Sequence, residues 1–212
     1  MAGRHTLPAN GANLAYLNEA DVRAAARSDY KVIAKSMDSA RVLAEAASVS
    51  LNETFDVFLC HAVRDAEIVQ GAKVLLERQG LKVYVDWIVD PEMDRSAVTA
   101  GTADILRQRM RKSRSLLYLF SANSRRSRWM PWELGFFDGF NGTVGILPIR
   151  PTTGALDFSQ EEYLDLYPKV ELQDTGIWVN RTKDLPVPGT DGKNFSSFRT
   201  WTTATDKLRP AS

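Results

Sequence analysis

SLLYLFSANSRRSRWMPWELGFFDGFNGTVGILPI, residues Ser115 to Ile149, holds a complete strand–loop–helix–strand unit. SLLYLF, Ser115 to Phe120, has the length and aliphatic-aromatic content of a buried strand. SANSRRSR is a polar loop. Pro131 fits the first turn of a helix, because its missing N–H would be unpaired there anyway. That helix runs to Phe140, where Asn141-Gly142 breaks it. TVGILPI, Thr143 to Ile149, is a second apolar strand. Two buried strands joined by a helix imply a right-handed crossover and a parallel sheet.

The same alternation extends on both sides. FDVFLC, Phe55 to Cys60, reads as the first strand. Asp65 is placed to N-cap a helix over Ala66–Gln79, with Ile68, Ala72, Leu75 and Leu76 on one face. Gly80 suits the residue after its end. LKVYVD, Leu81 to Asp86, is the second strand. The loop WIVDPEMDRS leads to a helix from about Ala97 to Lys112. Beyond Ile149 the pattern predicts a short helix near Ser159–Leu166 and an edge strand at Lys169–Leu172 or Ile177–Val179. The expected fold class is α/β, a flavodoxin-like three-layer sandwich with a parallel sheet of four or five strands, plus an N-terminal helical extension. The chain divides into that extension (1–50), the α/β domain (51–180) and an irregular tail (181–212). In the extension, Val22, Ala26, Tyr30, Ile33 and Met37 recur at helical steps, and a second helix is expected over Ser39–Ser48. The stripe is alanine-heavy and suits packing either on the domain behind it or on another subunit.

Composition narrows the function classes. The 27 basic residues nearly balance the 26 acidic ones, so no global field argues for nucleic acid. The basic run Arg107, Arg109, Arg111, Lys112, Arg114 reads as the solvated face of a helix. The single cysteine excludes an internal disulfide and suits a reducing compartment. No apolar run reaches the roughly 20 residues of a membrane span, and the first residues have no apolar core of a secretion signal. The expectation is a cytoplasmic protein with no membrane association. Two histidines and one cysteine give no metal-ligand cluster, so no metal is expected. Neither glycine-rich phosphate fingerprint is present, which disfavours a dinucleotide dehydrogenase or a P-loop NTPase.

In a flavodoxin-like strand order, the ligand crevice opens at the carboxyl ends of the first and third strands. The first strand ends at Cys60-His61. The third leads through the polar loop to Glu133. Glu133 shares a helix face with Phe136, Phe137 and Phe140. An acid on an aromatic, inward stripe either lies at a rim, pairs with a cation or does chemistry. The plainer alternative is a first-turn glutamate favoured by the helix dipole. Trp129 and Trp132 flank it, either as core packing or as a flat wall against which a ring stacks. Asp86 and Trp87, at the end of the second strand, carry the same two readings. Cys60 and His61 do not read as a nucleophile–base pair, because neighbours on a strand point to opposite sides.

These segments resemble those of a known family. FDVFLCHAVRD resembles the opening strand and loop of Toll/interleukin-receptor (TIR) domains, and GLKVYVDW resembles their second strand. SRSLLYLFSANSRRSRWMPWELGFF resembles their third strand, serine-rich loop and glutamate-bearing helix, and VGILPI their fourth strand. The resemblance covers about residues 54–172 and is closer to bacterial TIR proteins than to animal receptor adaptors. It implies an enzyme that cleaves the nicotinamide–ribose bond of NAD⁺, as a glycohydrolase or ADP-ribosyl cyclase in bacterial anti-phage immunity. It places Glu133 at the catalytic position and Cys60, His61 and Ala62 along the nucleotide site. The loop after Asp86 matches the mobile loop that gates the site and mediates assembly. NAD⁺ is then substrate rather than cofactor, and no other cofactor is expected. The partners implied are a second copy, met through the loops or the N-terminal helices, and a downstream effector reading a nucleotide signal. Two departures stand out: Cys60 replaces a common serine, and WIVDPEMDRSAVTAGTA is not the usual glycine-rich loop.

The chemistry suits one carboxylate. Nicotinamide leaves as a neutral ring without a general acid, through an oxocarbenium-like transition state. A carboxylate in a low-dielectric cleft binds ribose hydroxyls and stabilises the growing positive charge. Dry, tryptophan-lined walls favour cyclisation over hydrolysis. Two other readings accompany the enzyme: a non-catalytic TIR interaction module and a nucleoside deoxyribosyltransferase-like enzyme, whose carboxylate also sits near the sheet edge.

Overall fold

The computed structural model describes residues 16–36, 52–90, 99–154, 161–180 and 195–204. The helix expected over 39–48, the loop segment 91–98 and most of the tail beyond residue 180 lie outside them.

The parallel core is built from β2 (Phe55–Cys60), β3 (Val83–Tyr84), β4 (Ser113–Phe120), β5 (Val144–Arg150) and β6 (Lys169–Gln173). Their spatial order is β3-β2-β4-β5-β6, the second-first-third-fourth-fifth order of a flavodoxin-like sheet. This parallel core has the four or five strands expected, and among the described residues the sheet extends beyond it to eight strands. β7 (Gly176–Asn180) folds back antiparallel on β6, and β8 (Phe195–Ser197) pairs antiparallel with β7. The edge strand placed at either 169–172 or 177–179 is therefore both, joined as a hairpin. Gly176, at φ 129°, opens its second arm in a conformation that L side chains rarely adopt. The second strand is shorter than 81–86, because Asp86 already begins α3 (Asp86–Val89).

β1 (Leu17–Asn18) adds a further parallel pairing, Leu17 to Ile149 and Asn18 to Arg150. β6 meets β5 only at Ile146, so the far end of that edge is open to β1. The N-terminal segment is thus stitched into the sheet. α1 (Glu19–Ser36) then packs on α2 (Ala66–Arg78). Val22 is wholly buried, and a Cβ on Gly71 would stand 1.9 Å from its carbonyl oxygen. Glycine is required there for the two backbones to touch. Around this contact Arg23 pairs with Glu19 and Glu67, Arg27 pairs with Glu67, and Gln70 donates to Asp29. Of the two open readings for the helical stripe, packing on the domain describes its first half.

Alternation along the strands divides the core into two layers. Val57, Leu59, Leu117, Leu119, Leu147 and Ile149 face α1, α2 and α6 (Phe198–Thr203). Phe58, Cys60, Leu116, Tyr118, Phe120 and Ile146 face α4 (Ala100–Arg111) and α5 (Trp129–Phe140). Among the described residues no helix is long and apolar enough to cross a membrane.

Candidate active site

The first strand delivers its last residue to the start of α5. Cys60 is wholly buried, and its thiol points at the Met130 carbonyl oxygen, 3.7 Å away. Glu133 follows Met130 by three residues, so it lies on the same helix face. It is 0% exposed. Met130, Leu134 and Phe137 are buried beside it on α5. The sheet order therefore brings the tip of β2 and the glutamate helix together at the carboxyl end of the sheet.

His61 turns the other way, as neighbouring strand positions require. Its Nδ1 lies 2.7 Å from the Leu59 carbonyl, which can only accept, so Nδ1 carries a proton. Its Nε2 lies 3.2 Å from Trp87 Nε1 and 3.2 Å from Asp86 Oδ1. A neutral ring accepts from the indole, and a protonated ring faces the carboxylate. His61 and Asp86 are each 2% exposed, whereas Trp87 is 39% exposed at the rim. Three of the expected site residues thus form one contact group. Ala62, the next residue, is also buried, and its carbonyl accepts from the Asp65 N–H at 3.0 Å.

Trp129 and Trp132 stand edge to face at 5.4 Å, and Trp132 stacks on Phe136 at 5.9 Å. Arg107 lies over Trp132 and Arg111 over Phe136, each at 5.4 Å. These rings line the seam between α4 and α5, and the contacts described for Trp132 are those of packing.

The loops around the mouth are fixed by residues whose sequence context suggests other roles. Asp65 makes no capping hydrogen bond to α2. It accepts instead from Ser121 Oγ and, at 2.7 Å, from Asn123 Nδ2. Ser121 Oγ also accepts from the Asn123 N–H at 3.1 Å. The expected N-cap is thus a buried clamp between the loop after β2 and the loop after β4. Arg109 is likewise not on a solvated face: it is 1% exposed. Its guanidinium holds Asp90 at 2.9 and 2.6 Å, and Tyr84 donates to the same carboxylate at 2.7 Å. Burial and Asp90 together push the Tyr84 phenol far above its ordinary range. At the other end of segment 91–98, Thr99 caps α4 by accepting from the Thr102 N–H at 3.1 Å.

A second carboxyl approaches the same layer from the β5–β6 crossover. Glu161 is 8% exposed and precedes the short 3₁₀ turn Glu162–Leu166. Desolvation pushes its pKa above the usual carboxylate range, against the opposing pull of Arg125 and Tyr118. Tyr118 stands opposite Cys60 in the β2–β4 register. Its hydroxyl is pushed well above the usual phenol range, first by burial and then by Cys60, Glu161 and Tyr163. Glu161-Glu162 in a short helical stretch reads from sequence as a solvated pair, and no local signal marks the first as buried. Among the described residues no group of three His, Cys, Asp or Glu side chains could hold a metal.

The TIR domain family profile matches residues 57–177, from the middle of β2 into β7. The chain belongs to the TIR domain family. It is 42% identical over 150 residues to "Probable 3' cyclic ADP-D-ribose synthase ThsB'" of Bacillus cereus (strain MSX-D12), a match covering 71% of this chain and 76% of that protein. It is 25% identical over 93 residues to "Putative cyclic ADP-D-ribose synthase TIR2" of Cytobacillus dafuensis, covering 43% of this chain and 24% of that protein. Among solved structures, the TIR domain of the Toll-related receptor TRR-2 from Hydra magnipapillata overlaps with a TM-score of 0.36 at 21% identity, over 50% of this chain and 77% of that one.

Proposed function

We propose that this TIR domain cleaves the nicotinamide–ribose bond of NAD⁺ and closes the ADP-ribose product into a ring, as a signal in bacterial anti-phage immunity. The observation that carries this reading is the wholly buried Glu133, one helical turn from the Met130 carbonyl that meets the tip of β2. Burial beside Leu134 and Phe137 gives its carboxylate a low-dielectric setting, in which attraction to a developing oxocarbenium ion is strong. No general acid is needed, because nicotinamide departs neutral. The name of the B. cereus relative supports cyclisation over simple hydrolysis.

In this scheme Cys60, His61 and Ala62 border the nucleotide, and Asp86 and Trp87 form the rim over it. Trp87 is exposed enough to stack on an entering ring while its indole N–H is held by His61. Trp129 and Trp132 act from behind, by holding α5 in register against α4. NAD⁺ is the substrate, the work is done in the cytoplasm, and a separate effector reads the product. A second copy of the chain associates through the loop after Asp86 or through the N-terminal helices.

Purified protein incubated with millimolar NAD⁺ and followed by chromatography tests the reading. Wild type releases free nicotinamide, and Glu133→Gln lowers that rate by at least about a hundredfold, the usual cost of removing a principal electrostatic stabiliser. Equal rates in the two proteins refute the assignment. Silence of concentrated wild type at every protein and substrate concentration favours the non-catalytic module instead.

A further inference from the structure

We propose that the cleft between the end of α2, the start of β7 and the start of α6 is a second binding site, for a small molecule that carries one carboxylate or phosphate on a flat apolar body. The proposal stands apart from the NAD⁺-cleavage reading. Leu81 precedes β3 and Asp86 follows it, so this cleft and the catalytic mouth lie at opposite ends of that strand. The TIR profile ends at residue 177, so β8 and α6, which complete the cleft, lie beyond what it matches.

The cleft has a volume of about 230 Å³. Leu81, Ile177 and Phe198 line it and are buried. Trp178 adds a flat wall. Its indole N–H donates to Thr175 at 3.1 Å, and its ring meets Phe195 edge to face at 5.9 Å, so the plane is set before a ligand arrives. β8 covers β7 only as far as Trp178, because Phe198 already begins α6. Gly176 and Ile177 therefore line the cleft with a strand edge that no described strand covers.

Arg199 is the one charged residue among those lining the cleft. It is exposed, and among the described residues its guanidinium has neither an ion pair nor a hydrogen bond. A terminal nitrogen lies 3.5 Å from where a Cβ on Gly80 would stand, just past the end of α2. The negative end of that helix favours a cation there but takes none of its N–H groups.

Each feature limits the occupant. An apolar cavity of about 150 Å³ holds benzene, so this volume suits one ring with a small substituent. A cation without a partner calls for an anion, and a planar guanidinium meets carboxylate or phosphate through two parallel hydrogen bonds. The apolar lining sets the body, as in most small-molecule sites. A neutral or cationic ring of the same size leaves Arg199 unanswered.

The test is proton–nitrogen correlation NMR of the full chain, which reads the five indole N–H signals separately, with Trp178→Phe assigning the one in the cleft. Phenyl phosphate and benzoate are the anionic probes. Benzyl alcohol is the neutral one, benzylamine the cationic one, and inorganic phosphate the anion without a body. Phenyl phosphate or benzoate moves the Trp178 signal saturably, with a Kd on the order of a millimolar, as suits a ligand of about ten atoms. Trp87, Trp129 and Trp132 stay in place. The tighter of the two probes names the acid group. The three other probes bind at least about tenfold more weakly, and Arg199→Gln weakens the anionic probes by at least about tenfold, the lower range for hydrogen bonds to a charged group. Arg199→Gln leaves benzyl alcohol binding as it was, and Arg199→Lys restores part of the anion binding. A Trp178 signal that no probe moves at tens of millimolar overturns the proposal. So do anionic probes that bind Arg199→Gln as tightly as wild type, or an equal response of all five indoles, which marks a solvent effect.

Discussion

Arg109 of α4 grips Asp90 with two nitrogens, Nε at 2.9 Å and Nη2 at 2.6 Å, 19 residues back along the chain. The pair ties the residue that follows α3 to the last turns of α4. Tyr84 braces it from below, with its ring 5.7 Å from the guanidinium carbon and its hydroxyl on Asp90.

Asp90→Ala removes the carboxylate that both the buried Arg109 guanidinium and the Tyr84 hydroxyl hold. The expected loss is about 3 kcal/mol, in the range measured when one partner of a buried pair is removed. Urea unfolding checks it. If the loop positions Trp87 over substrate, KM for NAD⁺ rises more than kcat falls. A stability loss below about 1 kcal/mol would place the pair among surface bridges of little consequence.

Gly71→Ala drives a methyl group into the Val22 carbonyl, 1.9 Å from the ideal Cβ. Backbone cannot yield as a flexible side chain does, so α1 has to lift. The expected cost is about 1–3 kcal/mol, typical of over-packing. The same contact governs truncation. A chain cut to begin at residue 51 loses Leu17 from the sheet edge and Val22 from the core, and its melting temperature falls. Unchanged melting of both proteins would mean that α1 is not seated as described.

Glu161→Gln carries a stability signature that a carboxylate on the surface would lack. The native carboxyl binds its proton more tightly than the unfolded one, because burial outweighs Arg125 and Tyr118. Between the two pKa values the native state holds more protons, so stability falls as pH rises through that window. The glutamine variant does not titrate. It therefore melts a few degrees, about 2–4 °C, above wild type at pH 8, and the advantage closes toward pH 4. A variant less stable than wild type at pH 8 would show that the ionised carboxyl is well partnered.

The sequence made the frame legible where local pattern and tertiary role coincide. FDVFLC, SLLYLF and VGILPI are strands because each is a short apolar run buried on both faces, and buried parallel strands look like that. The β2 tip and the Glu133 helix could be brought together from strand order alone. What escaped was set by partners distant in the chain. Asp65 sits at a helix start and reads as a cap, but Ser121 and Asn123 lie closer to its oxygens than the first turn's N–H groups. Arg109 lies in a basic run that periodicity assigns to solvent, and nothing local reveals Asp90. Glu161 is one of two adjacent acids, and its partner Tyr118 lies on β4, far away in the chain. The hairpin of β6 and β7 needed both weak strands at once, whereas pattern reading weighed them as rivals.

The clamp at Asp65 has an evolutionary consequence. A carboxylate with two side-chain donors on a distant loop ties three positions into one unit of inheritance. Replacing Ser121 or Asn123 strands an anion in a dry place, and replacing Asp65 strands the donors. Drift at any one site is therefore penalised until the others follow, so these positions should covary among relatives even though none of them is asked to touch the substrate.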